Sequence, residues 1–103
     1  MQYRLADHGL VFSTRDRGAR MLADLREQVG SAPMESVVID FGGVRSVSYS
    51  FVDEFIGELM QSAGSSVPTL VNVPAFAART IERSLHRRGV NAGQGIDAAL
   101  EPA

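Results

Sequence analysis

Val37-Val38-Ile39-Asp40-Phe41-Gly42-Gly43-Val44-Arg45-Ser46-Val47-Ser48-Tyr49-Ser50-Phe51-Val52-Asp53-Glu54-Phe55 decides the fold of this chain. Val37 to Phe41 is a nearly unbroken apolar run rich in β-branched side chains. Such runs belong to central strands covered on both faces. Gly42-Gly43 turns the chain, and a loop from Val44 to Ser48 delivers a serine to the start of an amphipathic helix. A helix start concentrates unpaired N–H donors and positive dipole, so a hydroxyl placed there either caps the helix or carries chemistry.

The helix that follows is expected over about Phe51 to Ala63. Phe51, Phe55 and Leu59 recur every fourth residue, and Val52, Ile56 and Met60 form a parallel row. Together they make one wide apolar stripe. Asp53, Glu54, Glu58 and Gln61 fall on the opposite, wet side. Upstream, Tyr3–Ala6 and Gly9–Ser13 read as short strands joined by an Asp7-His8-Gly9 turn. A helix over Arg15 to Val29 follows, capped by Ser13 or Thr14. Gly18 lies on its inner face, which suggests close approach to a sheet. Downstream, Thr69–Val73 reads as a further strand. Pro74 suits the first position of a helix that extends to about Arg88. Gly89 would end it. Beyond Gly89 the sequence is rich in Gly and Ala, with at most one helical turn between Ile96 and Glu101.

Strands alternating with helices imply an α/β layer. The first two strands could form an antiparallel hairpin, so the expectation is a mixed sheet of about four strands backed by about three helices. Residues 1–90 are expected to form one domain, and 91–103 a flexible or weakly ordered tail. At 103 residues the chain suits a single small core. Hydrophobic residues make up 45% and charged residues 21%, which argues against wholesale disorder. The net charge of −2 lacks the electrostatic footprint of a nucleic-acid binder. The absence of cysteine removes disulfides, thiolate metal sites and cysteine nucleophiles. No apolar segment resembles a signal peptide or a membrane span, so a cytoplasmic location is expected.

Val38-Ile39-Asp40-Phe41, Val44 and Ser50-Phe51-Val52-Asp53-Glu54-Phe55 together resemble an uncharacterised bacterial STAS-like family. Val71-Asn72-Val73 with Thr80-Ile81 is similar to that family's second block, and Arg15 with the Ala19-to-Leu25 helix to its first. The family is similar in turn to the STAS domains of anti-sigma factor antagonists. There, a partner kinase that is also the anti-sigma factor phosphorylates the second serine of an Asp-Ser-Ser-Gly segment at a helix start. Aligned on the strand, Ser48-Tyr49-Ser50-Phe51 falls on that segment, and Ser50 matches the modified serine. Ser48 stands where the antagonists carry Asp, and Phe51 where they carry Gly. The resemblance implies a STAS-like α/β domain that acts in bacterial signalling through protein–protein interaction. It also implies a kinase-type ATPase or anti-sigma factor as partner.

Two roles stay open for Ser50. As an N-cap it would contribute about 0.5–2 kcal/mol, with Asp53 three residues on as in a capping box. As a phosphoacceptor it would bring about −1.5 to −2 charge to an anion-favouring site. Asp53 and Glu54 oppose that, because one like-charge contact at ~4 Å costs about 4 kcal/mol at an effective dielectric near 20. A third role gives Asp53-Glu54 themselves to a basic groove on a partner as a fixed negative knob. With Ser48 and Tyr49 they define the expected partner surface: loop 45–50 and the exposed face of helix 51–63, with Tyr49 as an aromatic anchor.

Asp40 and Asn72 are polar residues in apolar strands, so each must find a hydrogen-bond partner. The structural expectation has Asp40 accept N–H bonds from the Gly42-Gly43 turn and Asn72 bond a loop. In the alternative, Asp40, Asn72 and Asp53 converge at the carboxyl edge of the sheet as a small-ligand or catalytic site. A Ser50–His–Asp40 triad is disfavoured, since His8 lies in a turn, His86 ends a different helix, and no nucleophile elbow surrounds Ser50. Gly42-Gly43-Val44 is neither a P-loop nor a dinucleotide fingerprint. No enzyme activity, cofactor or metal is therefore expected, while a homo-oligomer stays open. Arg79, Arg83, Arg87 and Arg88 would line one basic ridge on the last helix, read either as a solvated face with helix-end complementation or as a ridge for an acidic partner or a phosphate.

Overall fold

The computed structural model describes residues 1–90. The expected tail at 91–103, with its helical turn at Ile96 to Glu101, lies outside the described residues. Five short strands are β1 (Gln2–Arg4), β2 (Val11–Phe12), β3 (Val38–Asp40), β4 (Ser46–Val47) and β5 (Thr69–Val71). The first helix, α1 (Arg15–Val29), is capped by Thr14, whose side chain accepts the Arg17 N–H. The second helical stretch has three parts. An α segment, α2 (Tyr49–Val52), passes into a π-helical segment (Asp53–Gly57) and then into α3 (Glu58–Ala63). The last helix among the described residues, α4 (Ala75–Arg87), follows Pro74, which occupies the cap and not the first helical position.

The α/β class expected from the alternation holds, but the mixed sheet does not. Every strand pairing among the described residues is parallel. β3 is central between β1 and β5, with Ile39 opposite both Tyr3 and Leu70. β2 pairs with β4 in a separate two-stranded sheet. The expected hairpin fails because Leu5–Asp7 coils into a 3-10 turn, closed by His8 N–H to Leu5 O at 2.8 Å. That turn redirects the chain before β2, so β1 and β2 enter different sheets.

The periodic rows of the second helix do what their spacing requires. Phe51, Val52, Phe55, Ile56, Leu59 and Met60 are all buried. Each such side chain contributes about 1.5–3 kcal/mol when removed from water. Phe12, Phe51 and Phe55 form a chain of tilted rings, with centroids 4.9 and 5.6 Å apart, that joins β2 to this helix. Gly18 does permit a close approach, but to this helix and not to a sheet. A Cβ there would stand 2.7 Å from the Phe51 carbonyl oxygen. Gly57 does the same for α4, since its missing Cβ leaves room for Ser84 Oγ and Arg88 Nε. Among the described residues no helix is long and apolar enough to cross a membrane.

Candidate functional site

The loop after β3 brings the chain back alongside β2. Arg45 N–H bonds Leu10 O at 2.8 Å and Ser48 N–H bonds Phe12 O at 2.9 Å. These bonds fix where the helix begins, two residues earlier than the apolar period alone indicates. Ser48, not Ser50, is therefore the N-cap. Its hydroxyl oxygen accepts the Phe51 N–H at 3.0 Å and its hydroxyl donates to Ser13 O at 3.0 Å. Ser50 falls inside the first turn, half-buried, and its hydroxyl makes no hydrogen bond among the described residues. The capping explanation of Ser50 is thereby removed.

Tyr49 is half-buried and does not project alone. The guanidinium carbons of Arg83 and Arg87 lie 5.2 and 5.8 Å from its ring centre. These are cation–π distances. The helix start and α4 are thus joined through an aromatic ring.

Asp53, expected on the wet side, is enclosed: its side chain is 13% exposed. Its Oδ1 accepts from Ser84 Oγ at 2.7 Å and from Arg88 Nε at 2.9 Å. Its Oδ2 accepts from Arg88 Nη2 at 3.2 Å and Arg15 Nη1 at 2.9 Å. Arg88 is therefore bidentate, the strongest geometry available to an arginine–carboxylate pair. Its remaining nitrogen donates to Glu58 Oε1 at 3.2 Å and Gln61 Oε1 at 2.7 Å. The Arg88 guanidinium holds the Asp53 carboxyl far below the ordinary carboxylate range, with Ser84 and Arg15 adding to it and burial working in the opposite direction. Arg15 also pairs with Glu54 at 3.1 Å. The two acids are thus engaged by cations, and Asp53 is not a free negative knob. Arg88 leaves the expected ridge to turn inward.

Asp40 and Asn72 meet at the carboxyl edge of β3 and β5. Asp40 Oδ1 accepts from Gly42 N–H at 2.8 Å, as the turn chemistry required, and from Asn72 Nδ2 at 2.9 Å. Its Oδ2 accepts from Gln2 Nε2 at 3.3 Å. The Asn72 amide is the main cause that lowers the Asp40 pKa, with burial opposing it and the Gly42 N–H assisting. Asn72 bonds this carboxylate and not the loop backbone, from a left-handed conformation with φ 56°. Asp53 engages a separate set of partners, so the three residues do not converge as one site.

The missed features are the Asp53–Arg88–Ser84 cluster and the π segment that accompanies it. No local pattern signals either. Arg88 falls on the expected basic ridge, and nothing in the helical pattern singles out Ser84, although it is fully buried.

A family model described as a STAS-like domain of unknown function matches residues 17–70, more than half of the chain. The chain belongs to that STAS-like family. The match spans most of α1, β3, β4 and the whole helical stretch from Tyr49 to Ala63, and ends within β5 before α4. Comparisons with curated proteins and with solved structures found no match.

Proposed function

We propose that this chain is a non-enzymatic protein-interaction module of bacterial signalling, acting as STAS-type anti-sigma factor antagonists do. Loop 45–50 and the helix that begins there form the partner surface, with Ser48, Tyr49 and Glu54 around Ser50. The partner is a kinase-type ATPase or an anti-sigma factor, and the cytoplasm is the setting.

The observation that carries this reading is the Ser50 hydroxyl. It stands in the first turn of a helix whose cap is already supplied by Ser48, and it has no partner of its own among the described residues. A phosphate on it would meet positive helix-end potential. The repulsion from Asp53 and Glu54 is weaker than the sequence implies. Arg15 bridges both acids, and Arg88 holds Asp53 from the other side.

Intact-mass measurement of the chain from its native cells, with Ser50→Ala beside it, tests the proposal. A phosphate mass on the wild type that disappears in Ser50→Ala is the expected result. Capture of a kinase-type ATPase or anti-sigma factor should then differ between Ser50→Ala and Ser50→Asp. Unmodified protein whose capture of such a partner is indifferent to both substitutions overturns the reading.

A further inference from the structure

We infer that the outer face of α4 is a second docking surface, shaped for an acidic peptide segment of a partner protein. The inference deepens the interaction-module reading by adding a surface that does not depend on Ser50.

Arg79, Arg83 and Arg87 recur every fourth residue and are all exposed. At 1.5 Å rise per residue, their positions are about 6 Å apart along the helix. With Glu82 and His86 they line an open furrow of about 480 Å³. None of the three forms an ion pair or a side-chain hydrogen bond among the described residues, whereas Arg15, Arg17, Arg20, Arg26 and Arg88 each do one or both. Like charges four residues apart on one helix face repel one another and weaken the helix that carries them. The C-terminal dipole compensates Arg87, but it does not reach Arg79, which lies outside the last turn.

Tyr49 adds a second, independent observation. Its ring holds the Arg83 and Arg87 guanidinium groups together from below. Side chains held in this way lose less rotamer freedom when they bind. Arg83 and Arg87 are therefore braced on one ring, while Arg79 extends the charge along the helix.

Its complement is a segment with carboxylates spaced about 6 Å apart, either every fourth residue of a helix or every second residue of an extended chain. The chemistry favours a carboxylate peptide over nucleic acid. The whole chain carries net −2, which disfavours a polyanion that bears a charge on every unit more than a peptide with carboxylates at every fourth residue.

Fluorescence anisotropy of the full chain with a labelled helical peptide bearing glutamate at every fourth position tests this directly. A glutamine version of the peptide and a labelled single-stranded DNA oligonucleotide run beside it. The glutamate peptide should bind, the glutamine peptide should not, and binding should weaken as salt rises. Arg83→Glu with Arg87→Glu should weaken binding at least about tenfold, with the circular dichroism of the fold unchanged. Tyr49→Ala should weaken it less, and Tyr49→Phe, which keeps the ring, should not. Peptide binding that ignores the double reversal, or tighter binding of the oligonucleotide than of the glutamate peptide, overturns the proposal. Self-association of the wild type that the double reversal abolishes would give the face to a second copy and overturn it equally. Ser50→Ala leaves this binding unchanged, so its failure and that of the Ser50 reading are separable.

Discussion

Two carboxylates are held in this molecule by opposite means. Asp40, at the edge of the sheet, is satisfied by neutral donors: Gly42 N–H, the Asn72 amide and the Gln2 amide. Asp53, in the π segment, is satisfied mainly by cations from α1 and from the end of α4. Both stay ionised below the ordinary carboxylate range. The first group fastens a turn to its own sheet. The second ties three helical elements together, so breaking it releases packing as well as charge.

The largest effect is expected at Arg88. Arg88→Met keeps much of the side-chain volume but leaves Asp53 enclosed without its bidentate partner. Removing one member of a fully buried pair costs about 3–5 kcal/mol. Here both side chains keep some contact with water, at 17% and 13% exposure, so about 2–3 kcal/mol is expected in urea unfolding. A cost under about 1 kcal/mol would mean that the two carboxylates are equivalent. Acid sharpens the same contrast. The Asp53 pKa is depressed by folding, so its stabilising contribution is complete above the unfolded carboxylate pKa of about 3.9. That contribution is lost as pH falls below that value and on through the folded pKa. The wild type should lose stability steeply below about pH 4, and Arg88→Met should lose less over the same range.

Gly57→Ala attacks the cation-held region by volume instead of charge. Alanine favours a helix over glycine by about 1 kcal/mol. A Cβ at position 57, however, would run into Ser84 Oγ and stand 2.8 Å from Arg88 Nε. The net result should be a loss of about 1–2 kcal/mol, with the Arg88 contacts displaced. Stabilisation by this substitution would show that α4 is not seated against the π segment.

How far each region is legible in the sequence follows from its range. Asp40 and Gly42 are two residues apart, and their bond follows from turn chemistry alone. Phe51, Phe55 and Leu59 are legible because a helical period needs only the helix. Arg88 is 35 residues from Asp53, and Ser84 is 31. Nothing near either residue distinguishes an inward arginine from its outward neighbours Arg83 and Arg87. The parallel pairing of β1 with β3 is hidden for the same reason, because its partners, Tyr3 and Ile39 among them, lie far apart in sequence. The serine that caps the helix lies two residues before the one the apolar period indicates. Its selection rests on Ser48 bonding Ser13 O and Phe12 O, both far away in sequence.

At Asp40 the effects should be smaller. Asn72→Gly removes one donor to that carboxylate but suits the left-handed backbone, at a cost near 1 kcal/mol. Asn72→Ala removes the same donor and adds about 1 kcal/mol of backbone strain. A difference of that size between the two variants, in the order Gly more stable than Ala, would confirm that neutral, locally shaped donors hold this edge. Equal stabilities would place the strain elsewhere.

The smallest expected effects separate the two serines. Ser48→Ala loses the cap to Phe51 N–H and the bond to Ser13 O, so about 1 kcal/mol should disappear from the unfolding free energy. Ser50→Ala removes a hydroxyl without a hydrogen bond among the described residues, inside a helix where alanine is the better former, so its stability should stay within about 0.5 kcal/mol of wild type. Helix content by circular dichroism should follow the same order. The contrast bears on function as well as folding. A serine that contributes nothing to stability can be modified without unfolding the domain, whereas a phosphate on the Ser48 oxygen would occupy the atom that starts the helix. If Ser50→Ala proves the more damaging of the two, the helix begins elsewhere and Ser50 is not available to a kinase.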